Sequence, residues 1–240
     1  MAARVVRDGP EGRRRAVEVL RAGGIVAIPT DTVYGISVAL DTPRGVERLF
    51  EAKRRPVDRA IVLLVEEARQ AEQVGILGPA ASALAGVGWP GGLTLVLPRR
   101  PGVSLPGALT GGAPTIGVRV PDHPAPRALA RAVGPLPTTS ANLTGEPPAR
   151  TAEEIVERLG GAVDLVLDGG PAAGGIASTV IDCASGTPRL IRAGAIPTDR
   201  LASVLDEAGL PHELPRAAPG RPPTAHERRS RRPGRPSEHG

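Results

Sequence analysis

Hydroxyl, amide and cationic side chains recur along the chain in short clusters that follow apolar runs. Thr30, Asp31, Thr32 and Tyr34 fall in "IPTDTVYG", and Lys53, Arg55 and Arg59 follow a helix-like stretch. Thr94 stands in "GGLTL", Arg119 in "GVRVPDHP", and Thr138, Thr139, Ser140 and Asn142 in "TTSAN". Ser178 and Thr179 stand in "ASTV", and Arg192 in "LIRAG". His123 is the one histidine before residue 210, and carboxylates are sparse in the clusters. Guanidinium and ammonium groups among hydroxyls suit an anionic ligand held electrostatically. They do not suit proton transfer, which needs a tuned base. Any one threonine is explained by a capped loop, and any one arginine by solvation. The set, taken together, points to an anion site at strand ends, where open α/β sheets bind ligands.

The elements that must carry these clusters can be read from apolar periodicity. "EGRRRAVEVLRAGG" reads as a helix stopped at Gly23-Gly24. "GIVAIP" and "GISVAL" read as short buried strands on either side of the Thr30–Tyr34 cluster. "TPRGVERLFEAKRR" has a Thr-Pro helix start and places Lys53 at the helix's end. "AIVLLV", "GLTLVLP", "TIGVRVP", "LPTTSAN", "VDLVLDGG", "STVIDCA" and "PRLIRAG" read as strands. "GPAASALAGV", "HPAPRALARAV" and "PTDRLASVLDEAG" read as helices, as does "TAEEIVERLG", with Thr151 and Glu154 as a capping box. Several strands follow one another without a helix between them. The expected fold is therefore α/β with a mixed twisted sheet flanked by helices, not a pure βαβ array. One domain spans residues 1–210.

Composition sets the limits. The chain has 240 residues, 40% of them hydrophobic, which suits one domain with a tail better than two domains. Its single cysteine, Cys183, excludes an internal disulfide and reads as a buried, inert thiol in a cytosolic protein. No secretory signal opens the chain, and no apolar run reaches the roughly 18 residues of a membrane span. The basic balance is local: residues 211–240 hold seven arginines against three glutamates, +4 of the chain's +5. The same segment holds seven prolines and few large apolar side chains, so it reads as a disordered tail. Its role reads as solvation, with weak electrostatic contact to RNA or another polyanion as the alternative.

Three patterns carry little weight. "GVGWPG" matches a dinucleotide fingerprint, but it follows a helix and leads into a strand, the reverse of the required order. "NLT" is a glycosylation sequon in a chain without a secretory signal. No P-loop pattern occurs.

Seven segments in order, "PTDTVYG", "KRRP", "PGGLTLVL", "GVRVPDHP", "TSAN", "STV" and "LIRAG", give the chain a close resemblance to the YrdC-like threonylcarbamoyl-AMP synthase family over roughly residues 12–200. The resemblance implies that L-threonine, bicarbonate and ATP with Mg²⁺ give threonylcarbamoyl-AMP and pyrophosphate. A tRNA-modifying transferase would then consume the product. It also implies that Thr32, Arg119, Thr138 and Ser178 hold threonine, with Thr32 and Thr138 near its side-chain hydroxyl. Lys53, Arg55, Thr94, Ser140, Asn142 and Arg192 would hold ATP, with Lys53 and Arg55 facing the cleft as the catalytic cations. Arg59, Leu64 and Pro148 stand where the family often has Asn, His and Ser, and take no role. The rival readings are a non-catalytic RNA-binding protein of the same fold and a paralogue using another carbamoyl or nucleotide substrate. Three aromatic residues, Tyr34, Phe50 and Trp89, offer few platforms for base stacking.

Overall fold

The computed structural model describes residues 3–54, 61–172 and 175–215. Its elements run β1 (Arg4–Arg7), α1 (Pro10–Arg21), β2 (Val26–Ile28), β3 (Gly35–Ser37), α2 (Gly45–Lys53) and β4 (Val62–Leu64). There follow α3 (Ala68–Ala71), α4 (Pro79–Gly88), β5 (Leu93–Pro98), α5 (Gly107–Thr110), β6 (Thr115–Arg119) and α6 (Pro124–Val133). The last are β7 (Leu136–Ser140), α7 (Ala152–Leu159), β8 (Leu165–Asp168), β9 (Thr179–Asp182), β10 (Arg189–Arg192) and α8 (Thr198–Glu207).

The strands form one mixed sheet in the order β1-β8-β2-β3-β7-β4-β6-β5-β9-β10. Side-chain alternation explains how both faces are filled. Val26 and Ile28 pack with α1 and α6, while Ala27 between them joins the cluster on α2, α4, α7 and α8. Leu165 and Leu167 against Val166 in β8 repeat the pattern. A fully buried leucine such as Leu20 contributes about 1.5–3 kcal/mol. With so few aromatics, many such aliphatic contacts replace a few large ones.

Some details depart from the sequence reading. Helix α2 starts at Gly45, not at the Thr-Pro step, because Arg44 takes a left-handed φ of 56° and breaks the helical path. The capping box is half made. Thr151 Oγ1 accepts from the Glu154 amide at 3.3 Å, but the Glu154 carboxylate accepts from Arg150 N instead of Thr151 N. Strand β1 has the short, mostly exposed sequence RVVR and carries no buried apolar run to announce it.

The domain boundary at 210 also moves. Leu214 is buried in the core, Glu213 N donates to Pro188 O at 2.8 Å, and Glu213 bridges to Arg189 at the sheet's edge. The folded unit therefore reaches Leu214, since one apolar side chain suffices to dock the segment that carries it. Residues 216–240, the rest of the expected tail, lie outside the described residues.

Candidate functional site

A cavity of about 340 Å³ opens where several strand ends meet. That is a usual size for a small-molecule cleft. Its walls include Thr32 and Tyr34 from the β2–β3 loop, Thr94 from β5, Arg119 from β6 and Thr138, Ser140 and Asn142 from β7 and its exit. Ser178 before β9 and Arg192 at the end of β10 complete it. Residues up to 160 positions apart in the chain are brought together by the sheet order alone. Leu64 and Pro148, two of the positions that depart from the family pattern, also line it.

One side of the cavity is built around Arg119. Its Nη2 donates to Asp31 Oδ1 at 2.6 Å, its Nη1 to Thr32 Oγ1 at 2.8 Å and its Nε to Gly91 O at 2.9 Å. A guanidinium has five N–H donors, so one remains on each terminal nitrogen. Burial lowers the Arg119 pKa below its ordinary value, and Asp31 opposes that shift. The Asp31 carboxylate is thus what keeps a buried cation acceptable here. The result is a fixed, charged fork whose free end suits a carboxylate.

The other side is built around Ser178. Its hydroxyl lies 2.8 Å from Thr94 Oγ1, and its carbonyl accepts from Arg192 Nε and Nη2 at 3.1 and 2.9 Å. Arg192 Nη1 remains without a partner among the described residues. Gly194 makes this packing possible, because a Cβ there would lie 2.3 Å from Ala177 O and 2.4 Å from the Ser178 carbonyl carbon.

Two expected contacts take a different form. Lys53 was expected to face the cleft. Instead it is 2% exposed and donates from Nζ to Ser140 O, to Ser140 Oγ at 3.1 Å and to Asn142 Oδ1 at 3.0 Å. The two donors of Asn142 Nδ2 go to Leu143 O and Glu146 O, both at 2.7 Å. Lys53 thus stands behind the cavity wall that Ser140 and Asn142 form. The Thr138 hydroxyl is also turned away: it donates to Leu136 O at 2.9 Å and lies 2.7 Å from Ser37 Oγ. Its methyl packs on Gly35, where a Cβ would lie 2.7 Å from it. Arg55 and Arg59 lie outside the described residues.

The sequence reading gave no role to Asp31, Gly91, Gly194 or the Tyr34 hydroxyl. Tyr34 Oη donates to Gly170 O at 2.6 Å and accepts from Gly169 N at 3.1 Å. The aspartate three residues after β2, beside a threonine, was the one available signal.

Other features of the described residues contrast with this cavity. A second cavity of about 390 Å³ near Trp89 is lined mainly by apolar side chains such as Leu77, Ala85 and Val120. Glu67, Glu72 and Arg127 stand at it without a converging network. Burial pushes the Cys183 thiol up to about 12, so it is scarcely ionised and unsuited to nucleophilic attack. No cluster of three or more His, Cys, Asp and Glu side chains fit to hold a metal occurs among the described residues. No helix among them is long and apolar enough to cross a membrane.

The Sua5/YciO/YrdC family profile, described as telomere recombination, matches residues 18–194. A threonylcarbamoyl-AMP synthase of Bacillus subtilis is 38% identical over 195 residues, covering 80% of this chain and 56% of that protein. A putative threonylcarbamoyl-AMP synthase of Mycobacterium tuberculosis is 38% identical over 201 residues, covering 82% of this chain and 92% of its own. The crystal structure of Pyrococcus abyssi Sua5 complexed with L-threonine superposes with a TM-score of 0.80 at 34% identity, covering 89% of this chain and 63% of that one. The chain thus spans little more than half the length of the Bacillus relative.

Proposed function

The chain belongs to the Sua5/YciO/YrdC family, and from that premise we propose that it is a threonylcarbamoyl-AMP synthase, a nucleotidyltransferase acting on L-threonine, bicarbonate and ATP. The observation that carries this reading is the cavity's pairing of two arginine forks, Arg119 and Arg192, across a floor of hydroxyls. The threonine-bound Pyrococcus relative supports the choice of amino acid.

The threonine amine and bicarbonate condense to a carbamate with loss of water. A carbamate oxygen then attacks the α-phosphorus of ATP, and the bond to the β-phosphate oxygen breaks to release pyrophosphate. Such a displacement depends on alignment and charge neutralisation more than on a base. Arg119, through its two remaining donors, would grip the threonine carboxylate, with Thr32 fixing the fork's orientation. The methyl of Thr138 would face the substrate's side chain, and Ser178 would join the two halves of the site. Arg192 and Thr94 would meet the nucleotide, and Arg55 its phosphates. Lys53 and Asn142 would act on the nucleotide side by holding Ser140.

Magnesium fits only as a companion of the nucleotide. Among the described residues the cavity lining offers one carboxylate, Glu146, so most of the ion's oxygen ligands would come from the triphosphate and water. Bound in that way, the ion would neutralise charge on the leaving pyrophosphate. The product, a mixed anhydride, would be consumed by a tRNA-modifying transferase in the cytoplasm.

The test is direct. Full-length protein is incubated with labelled ATP, bicarbonate and Mg²⁺, with and without L-threonine, and pyrophosphate is measured. Release that depends on threonine is expected. Release indifferent to threonine, or none, would remove the assignment.

A further inference from the structure

The β2–β3 loop carries Thr32, and something must hold that loop still if Arg119 is to keep one position. Internal bonds do part of this. Thr30 Oγ1 accepts from Thr32 N at 3.1 Å and Val33 N at 3.2 Å, and donates to Val33 O at 2.6 Å. These bonds shape the loop but do not attach it to anything else. Ala141 N, beyond β7, donates to Tyr34 O at 2.8 Å, and further attachment comes at the two flanks. On the side of β6, Arg119 bonds to Asp31 and Thr32. On the opposite side, toward β8, the Tyr34 phenol bonds to both Gly169 N and Gly170 O.

The topology makes the second attachment long-range. In the sheet β8 lies beside β2, on the side away from β3. Strands β2 and β8 are parallel and β3 is antiparallel to β2, so the end of β8 and the start of β3 share one edge. Tyr34, just before β3, therefore reaches past the end of β2 to the residues that follow β8. The neighbouring backbones are close enough that a Cβ on Gly169 would lie 2.8 Å from Pro29 Cγ. Gly175 N adds a bond to Thr32 O at 2.8 Å. Burial raises the phenol's pKa, with Asp168, Glu153 and Asp8 adding to the rise, so the hydroxyl keeps the proton it donates to Gly170 O.

We infer that the Tyr34 hydroxyl is a positioning group for substrate binding: it anchors the β2–β3 loop to the end of β8 and so fixes Thr32 and the Arg119 fork. The inference deepens the proposed function and rests on it for the identity of the ligand. A ring alone would fill the core equally well. The hydroxyl adds the two side-chain bonds that tie the loop to the end of β8.

The experiment compares full-length wild type with Y34F, which keeps the ring and removes both bonds. The expected result is a rise of about tenfold in KM for L-threonine, the scale of one lost buried hydrogen bond. KM for ATP should change little, and the Gly175 amide should exchange faster with solvent. A purely structural tyrosine would lower Tm and the active fraction but leave KM for threonine where it was, and that outcome overturns the inference.

Two controls keep the question separable. If wild type releases no threonine-dependent pyrophosphate, the proposed function fails, and the anchor is then judged by amide exchange alone. Unchanged exchange at Gly175 in Y34F rejects it, and faster exchange supports it. If Y34F does not fold, wild type suffices, because Gly169 N–H has Tyr34 Oη as its acceptor. Protection of that amide from exchange supports the anchor, and rapid exchange overturns it.

Discussion

Arg119 and Lys53 are both buried cations beside one cavity, yet they are built in opposite ways. Arg119 is held by a carboxylate, a hydroxyl and a carbonyl, keeps two donors uncommitted, and lines the cavity. Lys53 donates to Ser140 and Asn142, behind the wall those residues form. A guanidinium can be clamped and still bind, because it has five donors in a rigid fork, whereas an ammonium has three on one atom. The family resemblance gives both residues ligand-binding roles. The geometry sets them apart: Arg119 lines the cavity, and Lys53 bonds to residues that line it.

The largest effect is expected at Arg119. Arg119→Ala removes the charged fork and leaves Asp31 without its partner. Threonine-dependent pyrophosphate release should fall about 10²–10³-fold in kcat/KM, the scale of one lost preorganised electrostatic donor. Arg119→Lys should recover little, because a point charge cannot reproduce the three bonds and still reach a carboxylate. Full recovery by lysine would mean that the fork's geometry is not used.

Lys53 gives the second effect and separates the two cations. Lys53→Met keeps the aliphatic stem and removes the ammonium, and with it the charged donor to Ser140 O, Ser140 Oγ and Asn142 Oδ1. Hydrogen bonds to a charged group contribute about 1.5–3 kcal/mol, so urea unfolding should show a loss of stability together with a loss of turnover. Arg119 substitutions act first on turnover. A Lys53→Met protein as stable as wild type but inactive would restore Lys53 as a direct ligand contact.

The third effect probes the Ser178 side without touching a charge. Gly194→Ala places a methyl against Ala177 O and the Ser178 backbone. Overpacking of this kind costs about 1–3 kcal/mol. Because the displaced residue is the one that Arg192 and Thr94 hold, KM for ATP should rise more than KM for threonine. Equal changes in both would show that the two sides of the cavity move as one.

These contrasts explain what could be read from the chain and what could not. The strands around Val26–Ile28 and Leu165–Asp168 were legible because an apolar run bounded by polar residues has few other uses. The residue types that line the cavity were legible too, since Thr32, Arg119, Ser178 and Arg192 stand at or near strand ends. The division of labour between Arg119 and Lys53 was not, because it depends on which acceptors lie within 3 Å of each side chain. Lys53 and Asn142 are 89 positions apart, and Arg119 and Thr32 are 87 apart. Local sequence carries no record of such pairings. Nor does it reveal that the Thr138 hydroxyl meets Ser37, because that depends on the β3–β7 register that sets the two residues opposite each other and on the Thr138 rotamer.

The smallest effect on turnover is expected at the C-terminus, where two cuts five residues apart should differ in stability. Ending the chain after Leu210 removes Leu214, which is 5% exposed and packed in the core. Burying a leucine contributes about 1.5–3 kcal/mol, so this cut should lower Tm measurably. Ending it after Pro215 keeps that contact and the Glu213 bond to Pro188. The second cut removes all seven arginines of the basic segment, so Tm and threonine-dependent turnover should stay near wild type while any affinity for RNA falls. The intact chain's RNA binding should also weaken steeply with salt, because arginine contacts to phosphate gain their strength from counterion release. Equal Tm for the two cuts would show that Leu214 adds nothing to the fold. Salt-resistant RNA binding retained after Pro215, with no threonine-dependent turnover, would replace the enzyme by an RNA-binding protein of the same fold.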